Sequence, residues 1–298
     1  MTYPEVFEIV RIGRWRHPDI RRELNEEYKD KMSQSKMYVI TETSRYMMSY
    51  VMITDDGNCV IVDGGRPEDI PLLREKVKGH PIKAWILTHP HVDHISAFVY
   101  LMRNREEVFC PEAVYYNFPP VSYSEQYEKR DIEILREFYE LVPGLGEKVH
   151  NVYRGDVLLV DNLRFEFLYH WEEAYNFVYK TINDTSIVFR VDTQDTSVMF
   201  LGDLGPEGGD KLMELSMDKL KADYVQMAHH GHAGVGAEVY MMIDPKVCIW
   251  NAPDWLMEEP AVRLHYRRYG QKMTRYWMEK IGVKKHIVTM NGTAEIQL

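Results

Sequence analysis

The sequence predicts an α+β fold of the four-layer αββα type, in which two mixed β-sheets pack face to face and helices cover both outer sides. Short apolar strands recur in both halves of the chain, each time as a hairpin followed by a further strand and a helix. Several strands stop abruptly at a His or an Asp, so polar side chains collect where strand ends meet. The 298 residues, 45% of them hydrophobic, suffice for one large domain.

The first half opens with strand-like segments and one tight turn. Asp55-Asp56-Gly57-Asn58 joins two of the strands, because glycine accepts the positive φ of a hairpin turn. Pro67 marks the start of a helix, and the apolar residues after His94 recur at helical spacing. The strands expected in this half cover 38–41, 48–53, 59–62 and 82–88.

The second half repeats this pattern after a long helix. A capping box at Ser122 and Glu125 predicts that helix over 122–141, and its amphipathic pattern favours covering the core over lining a substrate groove. Asn291-Gly292 predicts a closing hairpin. The strands expected before that hairpin cover 157–160, 163–169, 186–191, 197–202, 223–228 and 247–250. The helices cover 210–220, 236–243 and 261–280.

Residues 1–36 are predicted to be an extension appended to a domain over 37–298. The extension has arginines followed by acidic residues and no apolar run of signal-peptide length. No run of 18 or more apolar residues occurs anywhere, which predicts no membrane span. The three cysteines, Cys59, Cys110 and Cys248, show no Cys-x-x-Cys spacing. We therefore expect a protein of the reducing cytoplasm.

The charge balance bears on the partners. A formal net charge of -10 argues against long nucleic acid as a partner, since proteins that bind it usually carry a basic excess. A small-molecule substrate is the expected partner. Segments 37–53 and 121–141, rich in Met and Tyr, fit either a pocket or the interface of a homo-oligomer.

The segment His89-Pro90-His91-Val92-Asp93-His94 predicts a metal site, because it places three imidazoles and a carboxylate at the end of an apolar strand. Residues two apart at a strand end point to the same side, so His89 and His91 can share one ion. Asp93 and His94 lie further round the turn and face a second position. Two divalent ions about 3.5–4 Å apart explain these donors better than one. Zinc is the favoured metal, with manganese or iron as alternatives.

This segment resembles the His-x-His-x-Asp-His signature of the metallo-β-lactamase superfamily, and the resemblance extends from about residue 38 to the end of the chain. Asp63-Gly64-Gly65, Gly202-Asp203 and His229-His230-Gly231 each close an apolar strand, in the order found in that family. The His-His-Gly segment, together with Asn183-Asp184-Thr185-Ser186, looks most like the branch that contains the hydrolase-like domain of DNA-uptake competence proteins and phosphorylcholine esterases.

The resemblance implies roles for individual residues. His89 and His91 would hold the first metal, and Asp93, His94 and His229 the second. Asp203 would bridge the two. The choice between His229 and His230 stays open; His230 would then contact substrate or protonate a leaving group, which makes His230 and Asp93 the candidate catalytic residues. Asp63 either orients a ligand imidazole or simply forms the turn before Gly-Gly.

The chain departs from the family at one ligand. Many members carry a further ligand His shortly before the Gly-Asp strand, where this sequence has Asn183 or Asp184. His170 is the nearest upstream alternative. If none of the three serves, the first metal site lacks one protein donor.

The function expected from these features is that of a dinuclear metal-dependent hydrolase with a metal-bridging hydroxide. A phosphodiester, or another small phosphorylated or ester substrate, is expected. The superfamily also hydrolyses lactams, lactones and thioesters, so a lactonase or thioesterase is an alternative. A non-catalytic metal-binding or sensing protein of the same fold is another, and a di-iron redox enzyme is a third.

Overall fold

A computed structural model describes residues 33–258, 263–265 and 268–298 of the chain. The predicted extension over 1–36 lies outside these residues except for its last four. Lys36 already begins the first strand.

Two seven-stranded sheets form the centre of the molecule. The strands, numbered along the chain, are β1 (Lys36–Val39), β2 (Ser49–Ile53), β3 (Cys59–Asp63), β4 (Ile82–Ile86), β5 (Ala113–Tyr116), β6 (Val149–Asn151), β7 (Val157–Val160), β8 (Leu163–Tyr169), β9 (Val188–Asp192), β10 (Ser197–Phe200), β11 (Tyr224–Gln226), β12 (Val247–Trp250), β13 (Arg263–His265), β14 (Arg268–Tyr269), β15 (Lys285–Val288) and β16 (Ala294–Gln297). The first sheet has the order β16-β1-β2-β3-β4-β5-β6 and the second the order β15-β12-β11-β10-β9-β8-β7. Strands β13 and β14 form a separate hairpin.

Both sheets are mixed. In the first, the pairs from β16 to β3 are antiparallel, and those from β3 to β6 are parallel. In the second, β7 to β10 pair antiparallel, and β10, β11, β12 and β15 pair parallel. Parallel strands end at the same edge of a sheet, so this arrangement brings several strand ends together.

Successive side chains of a strand point to opposite faces of its sheet, so apolar residues form three layers, one between the sheets and one under the helices of each sheet. In β3, Val60 and Val62 belong to the core between the sheets, together with Phe165 of the second sheet. Cys59 and Ile61 point to the opposite face and pack under the helices of the first sheet. A third cluster lies between the second sheet and its own helices. The predicted αββα sandwich is therefore confirmed.

Helices supply the outer layers. They are α1 (Ile70–Val77), α2 (Val92–Asn104), α3 (Val121–Tyr127), α4 (Ile132–Leu145), α5 (Pro206–Ser216), α6 (Ala237–Ile243), α7 (Asp254–Met257) and α8 (Gln271–Ile281). Across the described residues, no helix combines the length and the apolar character needed to cross a membrane.

The single helix predicted over 122–141 is wrong. The structure has two helices there, α3 and α4, separated by residues 128–131. Four consecutive charged residues fill this break, and Asp131 adopts a left-handed conformation with φ of 61°. A residue in that region cannot continue a right-handed helix, so the chain turns and α4 starts in a new direction.

The end of the chain also differs from the prediction. Strands β15 and β16 do not form a hairpin, because β15 belongs to the second sheet and β16 to the first. The Asn291-Gly292 step, with Gly292 at φ of 102°, carries the chain from one sheet to the other instead. The helix expected over 261–280 begins only at Gln271, and the described positions before it are the short strands β13 and β14.

Candidate metal centre

Four of the candidate site residues from the sequence lie at or just after strand ends. Asp63 ends β3, His89 follows β4, Asp203 follows β10, and His230 follows β11. Strand β3 is parallel to β4, and β10 to β11, so each sheet delivers its polar residues to one edge. The Thr88 carbonyl accepts a hydrogen bond from the Ile187 amide at 3.0 Å, which joins the two sheets at this edge.

Asp63 holds the turn that carries the imidazoles. Its carboxylate accepts hydrogen bonds from the Thr88 amide at 2.7 Å and from the Thr88 hydroxyl at 2.8 Å. The same carboxylate lies 2.7 Å from Nδ1 of His94. Asp63 is fully buried, so these contacts replace the water that a carboxylate otherwise requires.

Two sets of donor atoms converge beside this turn, and within each set the atoms lie within 4.8 Å of one another. We call His89, His91 and Asp203 the first donor group. We call Asp93, His94, Asp203 and His230 the second donor group. All these side chains are buried, and both groups contain Asp203.

The second donor group presents Nε2 of both its imidazoles to the carboxylates. His94 Nε2 lies 3.3 Å from Asp203, and His230 Nε2 lies 3.1 Å from Asp93. The opposite ring nitrogens are held from outside, His94 Nδ1 by Asp63 and His230 Nδ1 by the Asn251 carbonyl at 2.8 Å. Fixing one nitrogen of a histidine as a donor leaves the other free to bind a metal.

Asp203 occupies the position between the groups. Its Oδ2 atom lies 3.8 Å from Nε2 of His89 and 3.6 Å from Nε2 of His230. The preceding Gly202 has φ of +56°, and a Cβ there would lie 2.9 Å from the Ser186 side chain. Glycine therefore lets the chain pass Ser186, whose hydroxyl accepts a hydrogen bond from the Asp203 amide at 3.0 Å.

Electrostatics at the centre favour a bound cation. Burial alone would lower the pKa of His94 and of His230, but the neighbouring carboxylates, Asp203 foremost, raise both above the ordinary value. Burial would raise the pKa of Asp203, yet His94 and His230 lower it well below its usual range. The buried carboxylates thus favour positive charge at the centre, which a divalent cation can supply.

Buried polar atoms at the centre also fit a bound metal. Among the described residues, His94 Nε2 and Asp203 Oδ1 are buried polar atoms with no hydrogen-bond partner. Leaving such atoms unpaired is costly unless a ligand takes them up. Burial, with His94, lowers the pKa of His89 well below its ordinary value, so this imidazole stays neutral as metal ligation requires. Imidazole and carboxylate donors suit zinc, manganese and iron.

The structure places the two adjacent histidines differently. His230 belongs to the second donor group. The family resemblance in the sequence implied His229 as the metal ligand instead. His229 Nε2 lies 3.8 Å from Asp203 and 3.2 Å from the Asn183 side-chain amide. Both histidines have positive φ, 52° and 56°, which costs free energy for residues with a side chain and is tolerated where the surroundings enforce it.

Asn183, Asp184 and His170, the three candidates for the further ligand of the first metal, lie in different surroundings. Asn183 lies beside His229, with its buried Oδ1 atom unpartnered. Asp184 turns away and accepts hydrogen bonds from the Gly208 amide at 3.0 Å and from Thr181. His170 accepts a hydrogen bond from the Arg154 amide at 3.0 Å, and it belongs to neither donor group. Of the three, only Asn183 is brought to the centre.

Sequence reasoning missed two acidic residues near the centre, Glu128 and Asp131. Glu128 Oε1 lies 3.3 Å from His91 Nε2, and Asp131 falls within donor distance of His91 and Asp93. Burial would raise the pKa of Glu128, but His91, the Ile182 amide and Arg130 lower it to about 2. The run of four charges at 128–131 was the available signal, because it interrupts the amphipathic pattern of the predicted helix.

Comparison with known proteins agrees with this geometry. The sequence model of the metallo-beta-lactamase superfamily matches residues 45–247. ComE operon protein 3 of Bacillus subtilis (strain 168) is 30% identical over 187 residues, which are 61% of this chain and 21% of that protein. The chain thus spans about a fifth of this curated relative. The match confirms the predicted resemblance to the competence-protein branch.

Solved structures share the fold. The metallo-beta-lactamase fold protein YhfI from Bacillus subtilis superposes with a TM-score of 0.53 at 12% identity, over 88% of this chain and 99% of that one. A variant of the CmlA β-hydroxylase gives a TM-score of 0.50 at 11% identity, over 93% of this chain and 59% of that one. At such identities the likeness shows the fold alone.

Proposed function

We propose that this chain, which belongs to the metallo-beta-lactamase superfamily, is a hydrolase that uses two divalent metal ions, zinc foremost. One observation carries the proposal: two buried donor groups meet at the single carboxylate of Asp203. A carboxylate shared in this way supports a pair of ions rather than one.

Each donor group has a proposed role. His89, His91 and Asp203 would hold the first ion, and Asp93, His94, His230 and Asp203 the second. Two cations held there would lower the pKa of a bound water toward neutrality and would polarise the oxygen of the group under attack. His94 and His230 keep their orientation through Asp63 and the Asn251 carbonyl. His229, which belongs to neither group, is the imidazole left to contact substrate or protonate a leaving group.

We further propose that the substrate is a phosphodiester or another small phosphorylated or ester molecule. Although the chain is acidic overall, Arg130 lies beside the centre, 3.6 Å from the Glu128 carboxylate that contacts His91. The ring of Tyr46 packs 4.8 Å from that of His230. Burial and Asp93 raise the pKa of Tyr46, while the positive charges of Arg130 and Arg66 oppose that rise. These cations support an anionic substrate.

One observation favours a non-catalytic alternative. Among the described residues the first donor group has three protein donors, and the neutral Asn183 stands where the family resemblance implies a further ligand histidine. A metal-binding or sensing protein of the same fold would tolerate such a site. Because one structural neighbour is a β-hydroxylase, the fold alone does not select hydrolysis over other reactions.

The test combines metal content with turnover. Elemental analysis of the purified protein should give two equivalents of zinc, manganese or iron per chain. The metal-loaded protein should then hydrolyse bis-p-nitrophenyl phosphate, and a chelator should abolish the activity. His91→Ala should lower both metal content and turnover, whereas His150→Ala, which changes a histidine outside both donor groups, should change neither.

The outcomes separate the candidates. Two equivalents with no turnover across phosphodiesters, phosphomonoesters, esters, lactones and thioesters would favour the non-catalytic reading. Turnover confined to lactones or thioesters would keep the hydrolase and reject the phosphorylated substrate. Fewer than two equivalents in the wild type would reject the dinuclear centre.

A further inference from the structure

The break between α3 and α4 brings an acidic side chain against the metal centre. Glu128 follows the last residue of α3, and its amide donates to the Ser124 carbonyl at 3.1 Å. Its Oε1 atom lies 3.3 Å from Nε2 of His91. The two residues are far apart in sequence, so their contact depends on the helical insertion that carries Glu128 between β5 and β6.

The two ring nitrogens of His91 have different neighbours. Nδ1 lies 3.1 Å from Nε2 of His89, within the first donor group. Nε2 has no aligned hydrogen-bond partner among the described residues, and the Glu128 carboxylate is an acceptor within its reach. Contacts of this kind are often loosely aligned in an unliganded site and tighten when the ligand binds.

We propose that Glu128 is a positioning residue for the first metal: its carboxylate accepts a hydrogen bond from the Nε2–H group of His91 and so leaves Nδ1 to face His89 and the metal. This inference rests on the proposed function and extends it to the helical insertion. It gives His91 the same kind of support that Asp63 gives His94 at 2.7 Å. The two pairs use opposite ring nitrogens, Nε2 in His91 and Nδ1 in His94.

The second oxygen of Glu128 anchors the carboxylate. Oε2 accepts a hydrogen bond from the Ile182 amide at 2.9 Å. Ile182 precedes Asn183, whose side chain reaches His229. Arg130 lies 3.6 Å from Oε1 and offsets part of the charge. Apart from His91, the Glu128 carboxylate therefore has two partners, the Ile182 amide and Arg130, and a carboxylate so fixed can select one orientation of the imidazole.

The first experiment measures metal affinity by competition with a chromophoric zinc chelator. Glu128→Ala should weaken one of the two zinc sites by about 10- to 100-fold, as is typical when the partner of a ligand histidine is lost. Glu125→Ala is the matched control, because Glu125 is an exposed residue of α3, one turn before Glu128, and pairs with Arg136 at the surface. It should leave both affinities unchanged. Two tight sites in Glu128→Ala would overturn the inference and leave the proposed function intact.

The second experiment does not need bound metal. Long-range ¹H–¹⁵N NMR of chelator-treated protein should show His91 protonated at Nε2, with the signals assigned by their loss in His91→Ala. In Glu128→Ala that tautomer should lose its dominance, while circular dichroism shows an intact fold. His91 protonated at Nδ1 in the wild type would overturn the inference, even if the wild type binds no zinc and the proposed function fails.

Discussion

His229 and His230 are neighbours in sequence with different surroundings. His230 touches Asp93 and the Asn251 carbonyl, whereas His229 touches Asn183. The two rings lie 6.2 Å apart. Substituting one of these two histidines therefore removes its own contacts and leaves those of the other in place.

We expect His230→Ala to lower the metal content from two equivalents to one, because it removes a donor of the second group. His229→Ala should keep two equivalents and lower the turnover number by about 10²- to 10⁴-fold if its imidazole protonates the leaving group. Elemental analysis and steady-state kinetics on the pair give the answer. The reverse pattern, with metal lost only in His229→Ala, would return His229 to the ligand role that the sequence comparison favoured.

The spacing of residues within the His89–His94 segment predicted more of the site than the sequence around His229 and His230 did. His89, His91, Asp93 and His94 come together as their spacing indicates. Adjacency alone could not separate His229 from His230, because left-handed backbone at both positions decides where each ring points. Glu128 was missed because it meets His91 only through tertiary structure.

Among the elements, the turn after β11 is tightly packed. Gly231 has φ of +88°, and a Cβ there would lie 2.5 Å from the Trp250 ring. Gly79 has nearly the same φ, +87°, with nothing within 4 Å of its Cβ position. Substituting either glycine would therefore strain the backbone to a similar degree. Only at position 231 would the new side chain also collide with a neighbour.

We expect Gly79→Ala to cost about 1–2 kcal/mol of unfolding free energy, the usual penalty for left-handed backbone. Gly231→Ala should cost about 1–3 kcal/mol more, since overpacking is added to the strain. Urea denaturation of both variants measures the difference. Equal losses would mean that Trp250 moves aside without cost.

Strand β8 carries a charged cluster on the second sheet. Glu166 contacts Lys219 and accepts a hydrogen bond from Arg164 at 2.8 Å. Burial would raise the pKa of Glu166, but Lys219 and Arg164 lower it below the ordinary value. A carboxyl group with a lowered pKa stabilises the folded state above its unfolded pKa, and this contribution is lost as pH falls through the folded value.

We therefore expect Glu166→Gln to destabilise the protein by about 1.5–3 kcal/mol at pH 7, the range for hydrogen bonds to charged groups. The difference from wild type should shrink as the pH falls below about 4.3, the ordinary pKa of glutamate. Denaturation at pH 7 and pH 3.5 tests the sign. Glu140→Gln, an exposed position, is the control. A difference that grows on acidification would contradict the lowered pKa.

Strand pairing shows which features of the fold the local sequence pattern does not predict. The strands of the hairpins β7–β8 and β9–β10 were predicted correctly, because residues close in sequence make those pairings. The supposed closing hairpin instead divides between two sheets. Strand β16 pairs with β1 at the other end of the described chain, and no local signal encodes a partner that distant.

In the molecule as a whole, the centre joins the two sheets. His89 follows a strand of the first sheet, and Asp203 and His230 follow strands of the second. A metal bound by both sides stabilises only the state in which the sheets are packed. Metal at 100 times its dissociation constant would add about 2.7 kcal/mol per site.

We expect chelation of both ions to lower the midpoint of thermal unfolding by about 10–20 °C, because about 5.4 kcal/mol is lost from the two sites and each kcal/mol corresponds to about 2–4 °C. Differential scanning calorimetry with and without chelator measures the shift. Asp203→Ala, which removes the carboxylate shared by both groups, should respond to chelator far less. An equal shift in that variant would place the stabilising metal outside the centre.

The pairing of β1 with β16 has a consequence for synthesis on the ribosome. Met37 pairs with Ile296, so one edge of β1 has no partner until nearly all of the described chain has been translated. At about 5–20 residues per second, the roughly 250 intervening residues take about 13–50 s. An open strand edge invites pairing with other chains. The nascent protein would therefore benefit from a chaperone that shelters β1 until the last strand emerges from the exit tunnel.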